Sequence, residues 1–160
     1  KMNLRVGHGY DVHQLKDGLP LVIGGECIPF EKGIVAHSDG DILVHTIIDA
    51  ILGATNLGDI GQLFPNDDKW QNVSGLHMLE ITLNYICKHY PNFKILNIDN
   101  TLILEQPKIL KFKNAMKKNI SQILNIDETL ISIKATTTDK LGFVGNKLGI
   151  AAESICLVEI

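Results

Sequence analysis

A carboxylate and two imidazoles in this sequence have the residue types and the spacing of a metal site. Asp11 and His13 lie two residues apart in a stretch with the pattern of a β-strand, so both side chains are expected on one face of a sheet. His45, in a stretch with the pattern of a helix, is the third candidate ligand. One carboxylate and two histidines with an open fourth position suit a catalytic zinc ion better than a structural one. The Asp-x-His pair by itself is a weak signal, because most such pairs are surface or hydrogen-bonding groups.

Two further carboxylates share the helical stripe of His45. Asp41 precedes His45 by four residues and Asp49 follows it by four, a spacing that places all three side chains on one helix face. We therefore predict that Asp41 or Asp49 accepts the second imidazole N–H and orients the ring. The alternative is that the acidic stripe is a solvated helix face. His77 and His89 have no matching partners, and we expect them to be structural or exposed.

The composition restricts the class of protein. Of 160 residues, 45% are hydrophobic and 21% are charged, which is typical of a globular chain, and we expect residues 1–160 to form a single domain. The net charge of −3 argues against nucleic acid as the main partner. No apolar run reaches the roughly 18 residues of a membrane-spanning helix, so we expect no membrane partner.

Arg5 is the only arginine, so a bound anion must be held mainly by lysines, backbone N–H groups, hydroxyls or a metal. Cys27, Cys87 and Cys156 are far apart and are expected to be buried or half-buried free thiols.

Hydrophobic periodicity and turn residues predict the elements that must position these groups. We expect strands at 4–13, 95–104, 130–135 and 150–160, and a hairpin over 19–30. We expect helices from an N-cap at Ser38 or Asp39 to about Gly53, from Ser74 to about His89, and over 108–124. The segment 56–68 is rich in Gly, Asp, Asn and Pro and is expected to be a long functional loop. This order predicts an α/β sandwich with helices packed on one face of a sheet.

Four motifs in register carry a more specific signal. They are HGYDVH at 8–13, AHSDGD at 36–41, LGDIG at 57–61 and KATTTDKLGF at 134–143. Together they closely resemble the 2-C-methyl-D-erythritol 2,4-cyclodiphosphate synthase family of the non-mevalonate isoprenoid pathway. The resemblance runs from about Met2 to the C-terminus, so it covers the whole predicted domain.

The resemblance implies a fold, an assembly and a reaction. The fold is a ferredoxin-like α/β (α+β) sandwich with helices on one face of a mixed β-sheet, assembled as a homotrimer with active sites between neighbouring subunits. The reaction converts the cytidine diphosphate ester 4-diphosphocytidyl-2-C-methyl-D-erythritol 2-phosphate to 2-C-methyl-D-erythritol 2,4-cyclodiphosphate with release of CMP. The cofactors are a zinc ion on Asp11, His13 and His45, and a magnesium or manganese ion with the diphosphate near Asp139. With so little arginine, two divalent cations would supply the charge neutralisation that phosphoryl transfer needs.

The resemblance also implies roles for individual residues. His37 and Thr137 match positions that stabilise the transition state, and we expect His37 and Ser38 at a helix start, where free N–H groups favour phosphate. The methylerythritol site is expected to include Asp59, Gly61, Phe64, Asp67 and Asp68. The cytidine pocket is expected at 104–110, with Leu104, Lys108, Ile109 and Leu110, and at Ala135 and Thr136. The other substrate contacts are expected from Asp11, His13, Asp139, Phe143 and Asn146.

Several positions depart from the family pattern. Asp139 stands where the family often has Glu, so its contact with the second metal is expected to be tighter or water-mediated, and Asn66 stands where Asp is common. Asn146 and Leu148 replace an Arg and a Glu that line the central channel of the trimer in relatives. Without that arginine we expect weak or absent binding of isoprenoid diphosphates in the channel. Lys147 should point to the opposite face if this stretch is extended.

Two other functions stay open on the sequence alone. One is a zinc-dependent hydrolase or phosphodiesterase, in which a metal-bound water attacks a phosphate. The other is a non-catalytic trimeric protein that binds a ligand and has lost the chemistry. The location is expected to be the bacterial cytoplasm, or a plastid-type organelle if a transit segment has been removed.

Overall fold

A five-stranded mixed sheet forms the frame of the fold. The computed structural model describes all 160 residues. The strands are β1 (Leu4–Asp17), β2 (Val22–Ile23), β3 (Glu26–Cys27), β4 (Lys32–Ile34), β5 (Lys94–Ile103), β6 (Ile131–Thr136) and β7 (Gly149–Glu159). The sheet order is β4-β1-β7-β5-β6, with only β5 and β6 parallel, while β2 and β3 form a separate hairpin. β1 is therefore fixed by antiparallel pairing with β7 along residues 4–14.

The three long helices, α1 (Ile42–Thr55), α3 (Gly75–His89) and α4 (Lys113–Leu124), lie on one face of this sheet. The two single-turn helices are α2 (Ile60–Leu63) and α5 (Gly142–Gly145). Twelve of the fourteen residues of α1 are buried, because β1 and β7 pack on one side of this helix and α3 packs on another. None of the helices has the length and apolarity needed to cross a membrane.

Side-chain caps define where the principal helices begin. Ser74 caps α3, as predicted, by accepting the N–H of His77. The cap of α1 is Asp41, so the predicted N-cap at Ser38 or Asp39 is wrong. Asp39 instead accepts the N–H of Gly75 at the start of α3. The predicted helix over 108–124 also begins later, at Lys113, after a turn of 3₁₀ helix.

Two glycines allow α1 to lie directly on β1. A Cβ atom on Gly7 would lie 1.8 Å from the Ala50 carbonyl oxygen, and one on Gly9 would lie 2.0 Å from the Thr46 carbonyl oxygen. No side chain can occupy such a space, so only glycine permits this approach of helix to strand. The helix is thereby seated against the strand that carries two of the candidate ligands.

The other face of the sheet is uncovered and rich in apolar side chains. β1 exposes Leu4, Val6, Tyr10 and Val12 on this face, and β7 adds Ile155. A contiguous exposed apolar patch is typical of an interaction surface. The predicted architecture, helices on one face of a mixed sheet, is confirmed.

Some elements and environments differ from the sequence-based predictions. β4, α2 and α5 are absent from those predictions, and α2 lies inside the segment expected to be loop. Lys147 has a φ of 58° and precedes β7, so the expectation that it alternates with its neighbours in an extended strand is wrong. All three cysteines are free thiols, but only Cys156 is buried, and Cys27 and Cys87 are exposed.

Candidate functional site

Asp11, His13 and His45 meet where β1 and α1 are in contact. Asp11 Oδ2 lies 2.8 Å from His13 Nε2 and 3.5 Å from His45 Nδ1, and the two imidazole nitrogens are 3.3 Å apart. Asp11 and His13 share one strand face, while Tyr10 and Val12 are exposed on the other. The structure therefore brings together the three side chains that the sequence selects.

This arrangement fits a divalent metal ion. A tetrahedral zinc ion with ligands at about 2.0–2.2 Å holds its ligand atoms about 3.3–3.6 Å apart. The two separations that involve His45 already have these values, and all three donor atoms lie within 4.8 Å of one another. Two imidazole nitrogens and one carboxylate oxygen would leave one tetrahedral position for an outside ligand.

The electrostatics of the cluster keep Asp11 ionised. Burial raises the pKa of the Asp11 carboxyl, but hydrogen bonds from His13 and His45 overcome this effect and hold the pKa well below its usual range. Asp11 is therefore an anionic donor at neutral pH, as metal ligation requires.

Ser38 contacts the second nitrogen of His45. Ser38 Oγ lies 3.3 Å from His45 Nε2 and also accepts the N–H of Gly40 at 3.2 Å. When His45 Nδ1 ligates a metal, Nε2 carries the ring proton and donates it to Ser38 Oγ, which orients the ring. The prediction that Asp41 or Asp49 orients this ring is wrong.

The two helix carboxylates hold backbone groups instead. The fully buried Asp41 accepts the N–H of Gly24 at 2.8 Å and of Gly25 at 2.7 Å in the hairpin, in addition to capping α1. Asp49 accepts the N–H of Ile60, the first residue of α2, at 2.8 Å. Burial raises the pKa of both carboxyls. They position the segments around the metal site rather than the imidazole.

A chain of buried polar side chains fixes the position of α1 on the sheet. The hydroxyl oxygens of Thr46 and Ser154 are 2.7 Å apart, and Ser154 donates to Asn100 Oδ1 at 2.6 Å. Asn100 Nδ2 in turn donates to the carbonyl of Ser132 at 2.9 Å. A shift of α1 would break the contact between Thr46 and Ser154, the member of this series that joins the helix to the sheet. This contact helps to hold the register that places His45, the neighbour of Thr46, at the ligand cluster.

Gly9→Ala is expected to disturb both stability and metal binding. The added methyl group must displace α1 by its contact with the Thr46 carbonyl, and we expect the free energy of unfolding to fall by about 1–3 kcal/mol. Because α1 carries His45, metal affinity should also fall, as measured by chelator competition. Gly53→Ala is the matched control: it lies on the same helix with nothing within 4 Å of the added methyl, and should be neutral or stabilising by up to about 1 kcal/mol. Parent-like stability and affinity in Gly9→Ala would contradict this account.

A cavity of about 240 Å³ opens beside the ligand cluster. Its polar wall is formed by the cluster together with His37, Ser38 and Asn66. The rest of the lining comes from α2 and the chain beyond it: Ile60, Gly61, Phe64, Trp70, Val73 and Met78. Phe64 packs edge-on against Trp70, with ring centroids 4.9 Å apart. Trp70, Val73 and Met78 are absent from the sequence-based predictions, because their apolar patterns look like ordinary core positions.

His37 joins two segments at the mouth of this cavity. His37 Nε2 donates to the carbonyl of Asp67 at 2.6 Å, and the His37 carbonyl accepts the N–H of Asn72 at 2.9 Å. His37 and Ser38 lie in the loop before α1, and the start of that helix is occupied by the Asp41 carboxylate. The expectation that these two residues offer helix N–H groups to phosphate is therefore wrong, and their side chains face the cavity instead.

The predicted methylerythritol residues divide into two groups. Gly61 and Phe64 line the cavity, whereas Asp59, Asp67 and Asp68 do not. The Asp59 carboxylate caps α2, and Asp67 caps the 3₁₀ turn that Asp68 begins. These three carboxylates thus shape the backbone beside the cavity.

A second cavity, of about 350 Å³, lies where β5 and β6 end. Because the two strands are parallel, their carboxyl ends meet at one edge of the sheet. The lining comprises Leu104, Glu105, Gln106, Pro107, Lys108, Ile109, Leu110, Lys113, Ala135, Thr136 and Thr137. All the predicted pocket residues and Thr137 are present in it, and Lys113 is an additional cation. Asp139, Phe143 and Asn146 are exposed and line neither cavity.

The two cavities have no lining residue in common. One contains three side chains that could ligate a metal ion, and the other offers lysines and threonine hydroxyls beside an apolar wall. The fold and these sites define an α/β protein with a candidate metal site and a separate polar cavity.

The chain belongs to the YgbB family, whose family model matches residues 4–159. It is 50% identical to the 2-C-methyl-D-erythritol 2,4-cyclodiphosphate synthase of Clostridium botulinum strain Okra over 157 residues, which are 98% of this chain and 100% of that relative. The structure of the bifunctional IspDF from Campylobacter jejuni is similar with a TM-score of 0.93 and 41% identity over 99% of this chain, which spans 43% of the length of that protein. The CDP complex of IspF from Plasmodium falciparum is similar with a TM-score of 0.82 and 38% identity, covering 98% of this chain and 96% of that one.

Proposed function

We propose that residues 1–160 form a single catalytic domain that converts 4-diphosphocytidyl-2-C-methyl-D-erythritol 2-phosphate to 2-C-methyl-D-erythritol 2,4-cyclodiphosphate and CMP. The observation that carries the proposal is the pairing of a metal-ligand cluster with a separate cavity of lysines and threonines in a chain half identical to such a synthase. The CDP complex of the Plasmodium relative supports a cytidine nucleotide as part of the ligand.

The proposed reaction is an intramolecular phosphoryl transfer. An oxygen of the 2-phosphate forms a bond to the β-phosphorus, the bond from that phosphorus to the oxygen bridging it to the α-phosphate breaks, and CMP leaves with the electron pair. Such a reaction depends on positioning and charge neutralisation more than on covalent help from the protein. Zinc on Asp11, His13 and His45, and magnesium or manganese near Asp139, would supply Lewis acids for the phosphate oxygens.

The side chains of the chain itself would bind and orient the two ends of the substrate. Lys108 and the backbone of 104–110 would hold the cytidine end, and the Thr137 hydroxyl would donate a hydrogen bond to the diphosphate. His37 and Ser38 face the other cavity, where they would contact the phosphates beside the metal. Phe64 and Trp70 form an apolar wall there that limits the access of water, the competing nucleophile.

We further propose that the active enzyme is a homotrimer. The uncovered apolar sheet face with Leu4, Val6 and Ile155 needs a partner, and each cavity alone holds only part of the required chemistry. If the metal cavity of one subunit meets the Thr137 cavity of its neighbour, one active site forms at each interface.

Product analysis tests the proposal against a metal-dependent hydrolase. The purified chain, loaded with zinc and magnesium, should release CMP and an equal amount of cyclic diphosphate, seen by phosphorus NMR and mass spectrometry. CMP with the open-chain 2,4-bisphosphate would instead identify a hydrolase. Tight binding of the substrate with no product would identify a ligand-binding protein, and either result would overturn the proposal.

A further inference from the structure

The segment that contains Thr137 and Asp139 forms a turn that one of its central residues, Lys140, does not favour. The N–H of Leu141 donates to the carbonyl of Thr138 at 3.0 Å, and the two central residues, Asp139 and Lys140, have φ of 54° and 64°. Turns with two left-handed central residues are normally formed by glycine, asparagine and aspartate, because a Cβ atom is strained there. Asp139 suits such a turn but Lys140 does not, so support from another part of the chain would stabilise it.

Glu105 supplies this support from across the sheet edge. Its Oε2 accepts the N–H of Thr138 at 3.0 Å, and its Oε1 accepts the N–H of Lys140 at 3.1 Å. The two carboxylate oxygens thus hold the N–H groups on either side of Asp139. Glu105 lies just beyond the end of β5, and the bond from the Leu104 N–H to the Thr136 carbonyl, at 3.0 Å, keeps its segment beside the turn.

The backbone of this turn determines the positions of two side chains that the proposed function uses. Thr137 Oγ1 accepts the N–H of Asp139 at 3.3 Å, so the direction of this hydroxyl depends on the backbone at Asp139. Thr137 lines the second cavity, and Asp139 projects from the middle of the turn. Glu105 also lines that cavity, but its two oxygens already accept backbone N–H groups.

We propose that Glu105 is a positioning residue, which clamps the 138–141 turn so that Thr137 and Asp139 meet the diphosphate and its metal ion. This inference rests on the proposed function. Glu105 acts through the two residues it positions rather than on the substrate, so its loss should affect the catalytic step more than the binding of the cytidine end.

Amide hydrogen exchange measures the clamp directly. In the parent chain the amides of Thr138 and Lys140 should exchange slowly. Glu105→Gln leaves one acceptor oxygen, because its amide nitrogen cannot accept a hydrogen bond, so one amide should exchange faster. Glu105→Ala should release both. Glu80→Gln, an exposed substitution on α3, is the matched control and should match the parent at both amides.

Turnover then tests whether the clamp matters for the chemistry. We expect kcat to fall about a hundredfold in Glu105→Ala and less in Glu105→Gln, with little change in KM and a higher magnesium concentration for half-maximal rate. Adding Lys140→Gly to Glu105→Ala should restore part of the rate, because glycine accepts the left-handed backbone. A direct contact of Glu105 with substrate or metal predicts no such rescue.

Three results would overturn the inference: unchanged exchange in both Glu105 variants, faster exchange with parent-like kcat, or a lost rate that Lys140→Gly does not improve. If Glu105→Ala fails to fold, the exchange and turnover measurements are made on Glu105→Gln, alone and combined with Lys140→Gly. The exchange measurement needs no turnover, so it tests the clamp even if the parent chain proves inactive and the proposed function fails.

Discussion

His13→Ala is expected to lose the zinc proposed for this cluster and to retain less than about 1% of the parent turnover, since changing even an outer partner of a metal ligand costs about 10–100-fold. The remaining donors, Asp11 and His45, would be two ligands where a stable zinc site uses three from the protein. Folding should survive, because the backbone pairing of β1 with β7 does not involve the His13 side chain. Metal content by mass spectrometry, circular dichroism and turnover measured on one preparation check all three expectations.

A remote histidine provides the matched control. His77 is exposed on α3, and its only charged contact is Glu80 at 3.7 Å, so His77→Ala should keep the metal, the fold and the rate of the parent. A His13→Ala protein that is free of zinc yet fully active would refute the metal assignment. If His13→Ala instead kept its zinc and lost activity, His13 would act on the substrate rather than as a ligand.

The metal cluster could be predicted because its geometry depends on local periodicity. The period of two along β1 is enough to place Asp11 and His13 on one face. The apolar pattern of α1 is strong enough to predict the helix that contains His45. Orientation of the His45 ring could not be predicted in the same way. Spacing favours Asp41 or Asp49, but the Asp41 carboxylate satisfies backbone N–H groups of the hairpin and of α1, and the Asp49 carboxylate accepts the N–H of Ile60. Buried backbone donors need partners, and this requirement outweighs the helical stripe.

Most of the features that the sequence-based predictions miss depend on contacts between segments that are distant in sequence. Glu105 meets the 138–141 turn only because β5 and β6 are parallel neighbours, a pairing that no local pattern specifies. Similarly, α2 is a single turn that depends on the reciprocal capping of Asp59 and Gln62, and its composition is that of a loop. α4 begins later than predicted, and no side chain caps its first turn.

Mixing two inactive variants is expected to restore activity if the active site is shared between subunits. His13→Ala damages the metal cavity and leaves the second cavity intact, whereas Thr137→Ala does the reverse. In the proposed cyclic trimer each interface would join the metal cavity of one subunit to the second cavity of the next. An interface between an intact metal cavity of a Thr137→Ala subunit and an intact second cavity of a His13→Ala subunit then contains a complete site.

Random assembly sets the size of the effect. With equal amounts of the two variants, about one interface in four would be complete, so activity should rise to about a quarter of the parent value from the low level of either variant alone. Co-expression with two affinity tags and tandem purification would isolate mixed trimers, in which one interface of three is complete, so this fraction should have about a third of the parent activity. Native mass spectrometry would establish its composition. The double variant His13→Ala/Thr137→Ala is the control, because its mixtures with either single variant contain no complete interface. Mixed trimers that form in the expected proportions and stay inactive would show that both halves of the site must come from one chain. The separation of the two cavities within a subunit would then require a rearrangement of the fold to bring them together.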